Sequence, residues 1–507
     1  MRAFALTLRN KWMENVKGGV SGVTRRILRD AFCGEKSVAI AGVKLPLTAS
    51  GVTVRILFET IIADEDALNA MFFTKGASGV LPCLACNVVA KELEKDRNRG
   101  IAPLADRDPE IVDISCHDVR LIGMRSDADV WAICDELEEA SRHPNKEVLE
   151  ELECCTGLKL DLDTLLFDKE LRRHVGPARG FTVDPMHILF ANGLLGWEMM
   201  LFVEQLKEDH GSNAFVDLRA FGENWKPKII LFSKTREKSS TTQLKAGASE
   251  LLGGYPLMHR FILEAYGANP EELHVRSILL LFEICDDFRL VNKHLPDAEK
   301  EQVRNHLRGL VREYLLAFKA AHGAATMRPK HHQLLHWVEQ HPQLSCFCLE
   351  RKHITAKYCV TNTKTPEHVA KGGLYRMMNQ QVRMLEHPGW GSALGQRTNE
   401  FPEMARSLGA GTVLIARDMR YKGVAMKNGD HVFMDAAKTY FILIVACLGI
   451  DDKFGLVVRR GQYVSGSQFA SIWDIGPQLQ ILHLDDANVF PSAFTKYLSS
   501  DRLEVLH

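Results

Sequence analysis

The segment Gly180-Phe-Thr-Val-Asp-Pro-Met-His187 places strand-forming residues directly before a carboxylate and a helix start. Phe, Thr and Val favour an extended strand over residues 180–183, and Pro185 suits the first turn of a helix that we expect to continue through Lys207. An acid at such a junction lies at the rim of a sheet, where it is accessible as a ligand. Asp184 is therefore a candidate ligand, and the local alternative is a simple helix N-cap.

Two earlier runs of β-branched residues surround a turn. Residues 38–47 and 52–62 predict two strands, adjacent to each other, because turn-forming residues separate them. Asp64 then predicts the N-cap of a short helix that reaches about Phe73. Because Asp64 follows the second strand, its place in the topology predicts a cap rather than a catalytic acid.

The pattern changes along the rest of the chain. Apolar spacing predicts two helices within residues 128–156 and long amphipathic helices over Glu271–Leu295 and Asp297–His322. The segment Ser233–Gly254 is rich in Ser, Thr, Gly and Lys and predicts a loop. From Thr412 onward, short β-like runs alternate with turns, which predicts a β-rich domain beginning near residue 405.

A Cys-x-x-Cys turn lies in Pro82-Cys83-Leu-Ala-Cys86-Asn87, after a glycine-rich break at residues 76–79. Thiolates at this spacing can both reach one ion, because the turn directs both sulfurs inward. Taken alone, the pair fits ordinary core packing equally well. A metal site needs further ligands from elsewhere in the chain.

Those ligands are available in Pro329-Lys-His-His-Gln-Leu-Leu-His336, where Pro329 suits a first helical turn. His332 and His336 are then four residues apart and share one helical face. His331 is the alternative partner, although an ideal helix would separate it from His336 by about 140°. Two thiolates and two imidazoles form a common closed zinc site, and the competing interpretation is a histidine-rich surface helix.

Composition places the chain among ordinary globular proteins. Of 507 residues, 46% are hydrophobic and 25% are charged, and the net charge of −1 gives no global sign of nucleic-acid binding. The longest apolar run, Tyr440–Ile450, has about half of the ~20 residues needed to cross a bilayer. We therefore expect a soluble, intracellular protein without a membrane partner, in which the 12 cysteines do not form a disulfide framework.

One more acidic segment follows the histidines, at Leu349-Glu350-Arg-Lys-His353. Alone it is typical of a solvated helix face. The order of the Cys-x-x-Cys turn, the Asp184-x-x-His187 segment, the paired histidines and the Glu350 segment nevertheless resembles CACTA-type transposases. It is similar in layout to the V(D)J recombinase core, and the resemblance covers roughly residues 20–360.

The resemblance implies an α/β fold with an RNase H-like catalytic core, a large helical insertion and a small C-terminal β-rich domain. Asp184 and Glu350, roughly 166 positions apart, leave room for such an insertion. The corresponding division of the chain is residues 1–185 for the first part of the core, 186–325 for the insertion, 326–400 for the second part of the core and 405–507 for the β-rich domain.

The resemblance also implies a function, DNA cleavage and strand transfer by two-metal chemistry. Asp184 and Glu350 would be catalytic acids that bind Mg²⁺ or Mn²⁺. The partners would be transposon ends and target DNA in the nucleus, with a homodimer left open. The structural zinc would be bound by Cys83, Cys86, His332 and His336.

One catalytic acid of the family has no counterpart in this interpretation. The first aspartate of these enzymes lies on the first strand, and Asp30 does not match that motif. Asp64, Glu65 and Asp66 follow the second strand, so we expect that the start of the domain is missing. Two-metal catalysis should then fail or be severely slowed.

Two alternatives follow. The first is a catalytically inactive, zinc-stabilised DNA-binding or scaffold protein derived from a transposable element. The second is an unrelated metallohydrolase that would require Asp184, His187 and His117 to lie together. Lysine and arginine residues between Lys226 and Lys245, with Trp225 nearby, could contact DNA phosphates, or could equally form a solvated loop face.

Overall fold

The computed structural model describes residues 16–340 except 46–51, 56, 77–78, 91–111, 212–213, 226–242, 267–270 and 292–296. It also describes Cys346 and, between residues 393 and 506, a series of strands. The fold of these residues is mixed α/β. Helices predominate before residue 340, and strands predominate after residue 393.

The first elements confirm the adjacent pair of strands and correct their extent. Strands β1 (Val43–Leu45) and β2 (Val52–Val54) pair antiparallel with Val43 opposite Val54, but residues 38–41 form turns instead of strand. The predicted strand 52–62 is two separate strands. In order, the elements are α1 Gly19–Phe32, β1 Val43–Leu45, β2 Val52–Val54, β3 Ile61–Ala63, α2 Glu65–Phe72, α3 Asp127–Ala140, α4 Lys146–Thr156 and β4 Phe181–Val183.

Strands β3 and β4 pair parallel to each other, with Ile61 opposite Phe181 and Ala63 opposite Val183. The predicted strand at residues 180–183 is therefore confirmed almost to the residue. Asp64 caps α2 as expected, since its side chain accepts the backbone N–H of Ala67.

Helices form most of the protein between residues 186 and 340. They are a π-helical turn Met186–Phe190, α5 Leu194–His210, α6 Ala214–Glu223, α7 Ala248–Tyr266, α8 Leu273–Val291, α9 Asp297–His322 and α10 Pro329–Glu339. The predicted helix after Pro185 is interrupted, because Ala191 is extended after the π turn and Asn192 has a φ of 50°. Helix α7 also begins within the segment that the composition had predicted as loop.

The helices between residues 186 and 340 enclose a hydrophobic core. Buried side chains of this core come from α5, α7, α8 and α9. Among the described residues, one stretch, Met186–Asp209, is long and apolar enough to cross a membrane, and 72% of its apolar window is buried inside the protein. Its apolarity is thus explained by packing: it is a helix of the core. The other apolar run, near residue 440, is the strand Phe441–Ile450.

The C-terminal region contains the β-rich structure that the turn pattern predicted, and its pairings are antiparallel. The strands are β5 Ala393–Leu394, β6 Val413–Ala416, β7 Asp418–Tyr421, β8 Val424–Lys427, β9 His431–Phe433, β10 Phe441–Ile450, β11 Lys453–Gly466, β12 Ala470–His483, β13 Phe490–Pro491, β14 Phe494–Tyr497 and β15 Arg502–Leu506. The first of them, at residues 393–394, precedes the expected start near 405. The largest sheet has the order β13-β9-β10-β11-β12-β15-β14, and β6 also pairs with β10.

Candidate metal centre and acidic sheet edge

The Cys-x-x-Cys turn is held in place by a neighbouring segment. Asn87 donates its backbone N–H to the carbonyl of Gly123, and Arg125 donates its own backbone N–H to the carbonyl of Ala85. The Arg125 guanidinium also donates to the side chain of Asn87 at 2.7 Å. These bonds on both sides of Cys86 fix the turn, so its sulfur atoms have a defined direction.

Helix α10 brings the histidines to this turn. Pro329 occupies the first turn of the helix, as the sequence predicts. The guanidinium of Arg328 lies 3.3 Å from the ring centroid of Trp197, and this contact fixes the start of the helix against α5. His332 and His336 are both buried on the face that meets the cysteines.

Four ligand atoms converge at this contact. The sulfur of Cys83 is 3.4 Å from Nε2 of His336, and the sulfur of Cys86 is 3.2 Å from Nε2 of His332. The two Nε2 atoms are 3.0 Å apart, and all four ligand atoms lie within 4.8 Å of one another. Ligands of a tetrahedral zinc ion are roughly 3.3–3.8 Å from each other, so this cluster could hold a metal such as zinc.

The four side chains differ in their tendency to release a proton: a hydrogen bond with Cys83 and burial raise the pKa of the Cys86 thiol. A hydrogen bond from Cys86 lowers the pKa of Cys83, and the nearby His336 adds to this effect. Burial lowers the pKa of His332, which leaves a neutral ring with a free lone pair. Burial also opposes protonation of His336, but the charge of Cys83 and its hydrogen bond together outweigh burial and raise that pKa.

The alternative histidine has a different environment. His331 is fully buried, and its ring stacks on Tyr314 at an interplanar angle of 17°. Its Nδ1 accepts the backbone N–H of Arg328, and burial lowers its pKa to about 3. The cluster therefore contains His332 and not His331.

The side chains around the four ligand residues satisfy some of the ligands' needs for hydrogen bonds and opposite charge and not others. Ligating histidines usually donate their second ring nitrogen to an acceptor. Among the described residues, Nδ1 of His332 and Nδ1 of His336 have no such partner. Arg125 in contrast is buried beside both thiols, where its positive charge offsets their negative charge.

A second group of polar side chains lies at the edge of the β3–β4 pair. Because Ala63 and Val183 are opposite each other in parallel strands, Asp64 and Asp184 leave the sheet at the same end and level. The backbone N–H of Asp184 donates to the carbonyl of Ala63 and continues this pairing. Two carboxylates thus meet at one sheet edge.

The two carboxylates differ in their surroundings. Asp184 is fully buried, and its Oδ1 accepts the backbone N–H groups of Met186 and Cys346 at 3.2 and 2.8 Å. Its Oδ2 accepts a hydrogen bond from Nδ1 of His187 at 2.5 Å. The side chain of Asp64 is 40% exposed. Asp64 is consequently the carboxylate that a solvent ion can reach.

His187 lies between these acids. Its Nδ1 is bound to Asp184, and its Nε2 is 3.7 Å from Oδ2 of Asp64. Burial lowers the pKa of His187, but the hydrogen bond and charge of Asp184 outweigh it and raise that pKa. The aspartate thereby fixes the direction of the ring toward Asp64.

This geometry corrects the topological argument that set Asp64 aside. Residues 61–63 are a strand of their own, paired with β4, so Asp64 is at the acidic edge as well as at a helix cap. A sequence signal was present: Ile-Ile-Ala-Asp64 and Phe-Thr-Val-Asp184 both place an acid between a strand and a helix start. Asp184 as a ligand of a catalytic ion stays a prediction.

The other predicted acid, Glu350, lies outside the described residues. The chain does contact the acidic edge four positions before Glu350, because Cys346 donates its backbone N–H to Asp184. Cys346 itself is buried, in agreement with the expected packing role.

The metallohydrolase alternative requires His117 to lie with Asp184 and His187. His117 lies elsewhere, so this requirement is not met. Among the described residues, the Cys–His cluster is the one group of three or more closely placed side chains that could hold a metal ion. His117 instead lines a cavity of about 260 Å³ with Arg308 and Arg312.

The suggested DNA-contacting segment is described only in part. Residues 226–242 lie outside the described residues. Trp225 is fully buried, and its ring centroid is 6.1 Å from that of Phe221. Trp225 is therefore a core residue and no part of an exposed DNA path.

No protein-family model, curated protein or solved structure matches this chain.

Proposed function

We propose that this chain is a transposase-like protein of the DDE type, with an RNase H-like core, that acts on DNA phosphodiesters. Its acidic edge would bind Mg²⁺ or Mn²⁺ through Asp64 and Glu350. Asp184 would support this edge from behind. Zinc bound by Cys83 and Cys86 with the histidines of α10 would hold the two parts of the core together.

The observation that carries the proposal is the pair of acids on parallel strands. Asp64 and Asp184 occupy equivalent positions at the ends of β3 and β4, which is where an RNase H-like core needs carboxylates. The contact of Cys346 with Asp184 brings the chain to the same edge four positions before Glu350. Glu350 would be supplied by the segment that follows Cys346, and a fully extended chain of four residues spans at most about 14 Å.

The metal cluster supports the same proposal independently. Cys83 and Cys86 come from the N-terminal part of the chain, whereas His332 and His336 follow the helical segment. A metal bound by all four residues joins segments about 250 positions apart and orders a large domain. Oxygen ligands favour Mg²⁺ or Mn²⁺ and sulfur ligands favour zinc, so the two sites would not compete.

Two-metal catalysis would nevertheless be impaired in this chain. Such chemistry needs carboxylates that bridge and hold two ions about 3.5–4 Å apart. Asp184 is buried and each of its oxygens already accepts a hydrogen bond. Of the three acids considered, Asp64 and Glu350 then remain as candidate ligands, which is enough for one ion rather than two.

The test measures Mn²⁺ binding to the zinc-loaded full chain, with and without a short DNA duplex. Electron paramagnetic resonance reports how much Mn²⁺ stays free. We expect one bound ion, and tighter binding with DNA because a phosphate oxygen joins its coordination sphere. Asp64→Asn should lose this binding. Asp66→Asn is the matched control, since Asp66 is an exposed acid on the same helical turn.

Binding that is equal in the two variants, or indifferent to DNA, would refute the proposal. A plasmid-nicking assay with Mn²⁺ adds the catalytic arm, in which we expect little or no cleavage. Rapid nicking that Asp64→Asn abolishes would support the nuclease and overturn the impairment.

The second candidate is an inactive, zinc-stabilised DNA-binding or scaffold protein. The buried state of Asp184 favours it, because a carboxylate with no exposed oxygen is a poor ligand for a solvent ion. DNA binding without any Asp64-dependent Mn²⁺ site would select this candidate.

A further inference from the structure

The side chain of Lys330 joins α10 to the segment that follows Asp184. Its Nζ donates to the backbone carbonyls of His187 at 2.9 Å and Asn192 at 2.7 Å, and it lies 3.4 Å from that of Ala191. An ammonium group has three hydrogens, so all three carbonyls can be served at once.

These carbonyls need a partner. They belong to the π turn Met186–Phe190 and its end, where helical carbonyls have no partner within the helix. The turn ends at Phe190, and two positions later Asn192 has a φ of 50°, in a region that residues other than glycine adopt with strain. Rare π turns of this kind persist when surrounding contacts hold them. Lys330 supplies three such contacts.

The position of Lys330 on α10 gives these bonds a wider consequence. It precedes the metal-cluster residue His332 by two positions, so the same helix carries the cluster and holds the His187 segment. Its ammonium also lies near Asp64, Glu65 and Asp66 at the start of α2. Lys330 is thus located between the two elements that form the acidic edge.

We propose that Lys330 is a positioning residue that keeps His187 directed at Asp64 and so sets the cation affinity of the acidic edge. This inference rests on the proposed function. Lys330 would act through His187 and needs no contact with the bound ion.

Positioning and simple electrostatics predict opposite results, which makes the inference testable. Lys330 is a positive charge near Asp64, so its removal should tighten Mn²⁺ binding if charge alone mattered. If Lys330 keeps Nε2 of His187 beside Oδ2 of Asp64, where a neutral imidazole can join the carboxylate as a ligand, its removal should weaken the binding instead. We expect Lys330→Met to weaken Mn²⁺ binding at least tenfold and Lys330→Arg to restore part of the loss.

The control is Lys319→Met, which removes an equal charge from α9. Nζ of Lys319 donates to the hydroxyl of Ser115 and makes no contact with the π turn. Zinc content, measured on every variant, verifies that α10 is still in place. Unchanged or tighter Mn²⁺ binding in zinc-containing Lys330→Met would overturn the inference.

A second readout is independent of cation binding. In protein labelled with ¹⁵N-histidine, the ring signals of His187, assigned with His187→Gln, should move at constant pH in Lys330→Met but not in Lys319→Met. Unmoved signals in Lys330→Met would overturn the inference. If the original protein shows no Asp64-dependent Mn²⁺ site, the proposed function fails, and the histidine signals alone decide the role of Lys330.

Discussion

Asp64 and Asp184 leave two hydrogen-bonded parallel strands at the same level, yet one carboxylate is 40% exposed and the other is fully buried. The buried carboxylate accepts bonds from two backbone N–H groups and from His187. The exposed one accepts a single N–H at the start of α2. We therefore expect these equivalent positions to have different tasks, with Asp184 organising the edge and Asp64 meeting an ion.

This difference predicts that an Asp-to-Asn substitution destabilises the protein by different amounts at the two positions. Asp64→Asn should change the free energy of unfolding by less than about 1 kcal/mol, because asparagine caps helices as well as aspartate does. Asp184→Asn should cost roughly 1–3 kcal/mol, since an amide NH₂ would replace one of the oxygens that accept hydrogen bonds. Thermal unfolding followed by circular dichroism compares the two variants. Equal midpoints would show that Asp184 does not organise the edge.

The metal cluster predicts a stoichiometric zinc ion. Elemental analysis of the purified protein should find about one zinc per chain, and Cys86→Ser should lose it. The accompanying destabilisation should exceed about 4 kcal/mol, because loss of a metal is among the largest single-residue effects. Cys155→Ser is the control, since Cys155 is an exposed thiol outside the cluster. Full zinc content in Cys86→Ser would contradict the cluster.

The adjacent histidines of α10 should respond in opposite ways. His331→Phe should keep zinc, because His331 stacks on Tyr314 and lies with its ring centroid 4.3 Å from that of Phe318, where another aromatic ring fits. Its cost should stay near 1 kcal/mol, the value of the hydrogen bond that it accepts from Arg328. His332→Phe should lose zinc. Zinc loss in His331→Phe alone would reverse the assignment.

The histidine pair was predictable because helical periodicity is local. Residues four apart share a helical face, so Pro329 and the spacing of His332 and His336 were sufficient to define the ligand face. The convergence with Cys83 was inferred from motif order, since nothing in the local spacing joins positions about 250 residues apart. The described structure brings these residues together.

The role of Asp64 was missed because it depends on tertiary pairing. Residues 52–62 are uniformly rich in β-branched side chains, so composition does not reveal that β2 and β3 are separate strands. Parallel pairing of β3 with β4 joins segments about 120 positions apart, which periodicity cannot encode. Similarly, Gly254 suggested a loop but is buried within α7, where packing overrides its low helix propensity.

A buried acid in the helical core predicts a specific dependence on pH. Glu198 of α5 is fully buried and accepts hydrogen bonds from Ser277 of α8 at 2.5 Å and Tyr314 of α9 at 2.8 Å. Burial raises the pKa of Glu198 from 4.5 to about 7, and the two hydroxyl groups only partly oppose it. Burial also raises the pKa of the neighbouring Cys285 thiol, so this thiol stays neutral and adds no negative charge.

The folded protein therefore holds a proton on Glu198 between pH 4.5 and about 7, where the unfolded chain has released it. The free energy of unfolding should fall as pH rises through this window and become level above it, with a total change of about 3 kcal/mol. Glu198→Gln carries no titrating group and keeps a similar shape. Its stability advantage over the original protein should thus grow by about 3 kcal/mol between pH 4.5 and 8. Urea unfolding of both proteins at a series of pH values measures this difference, and a difference that does not vary with pH would show that Glu198 is ionised in the core.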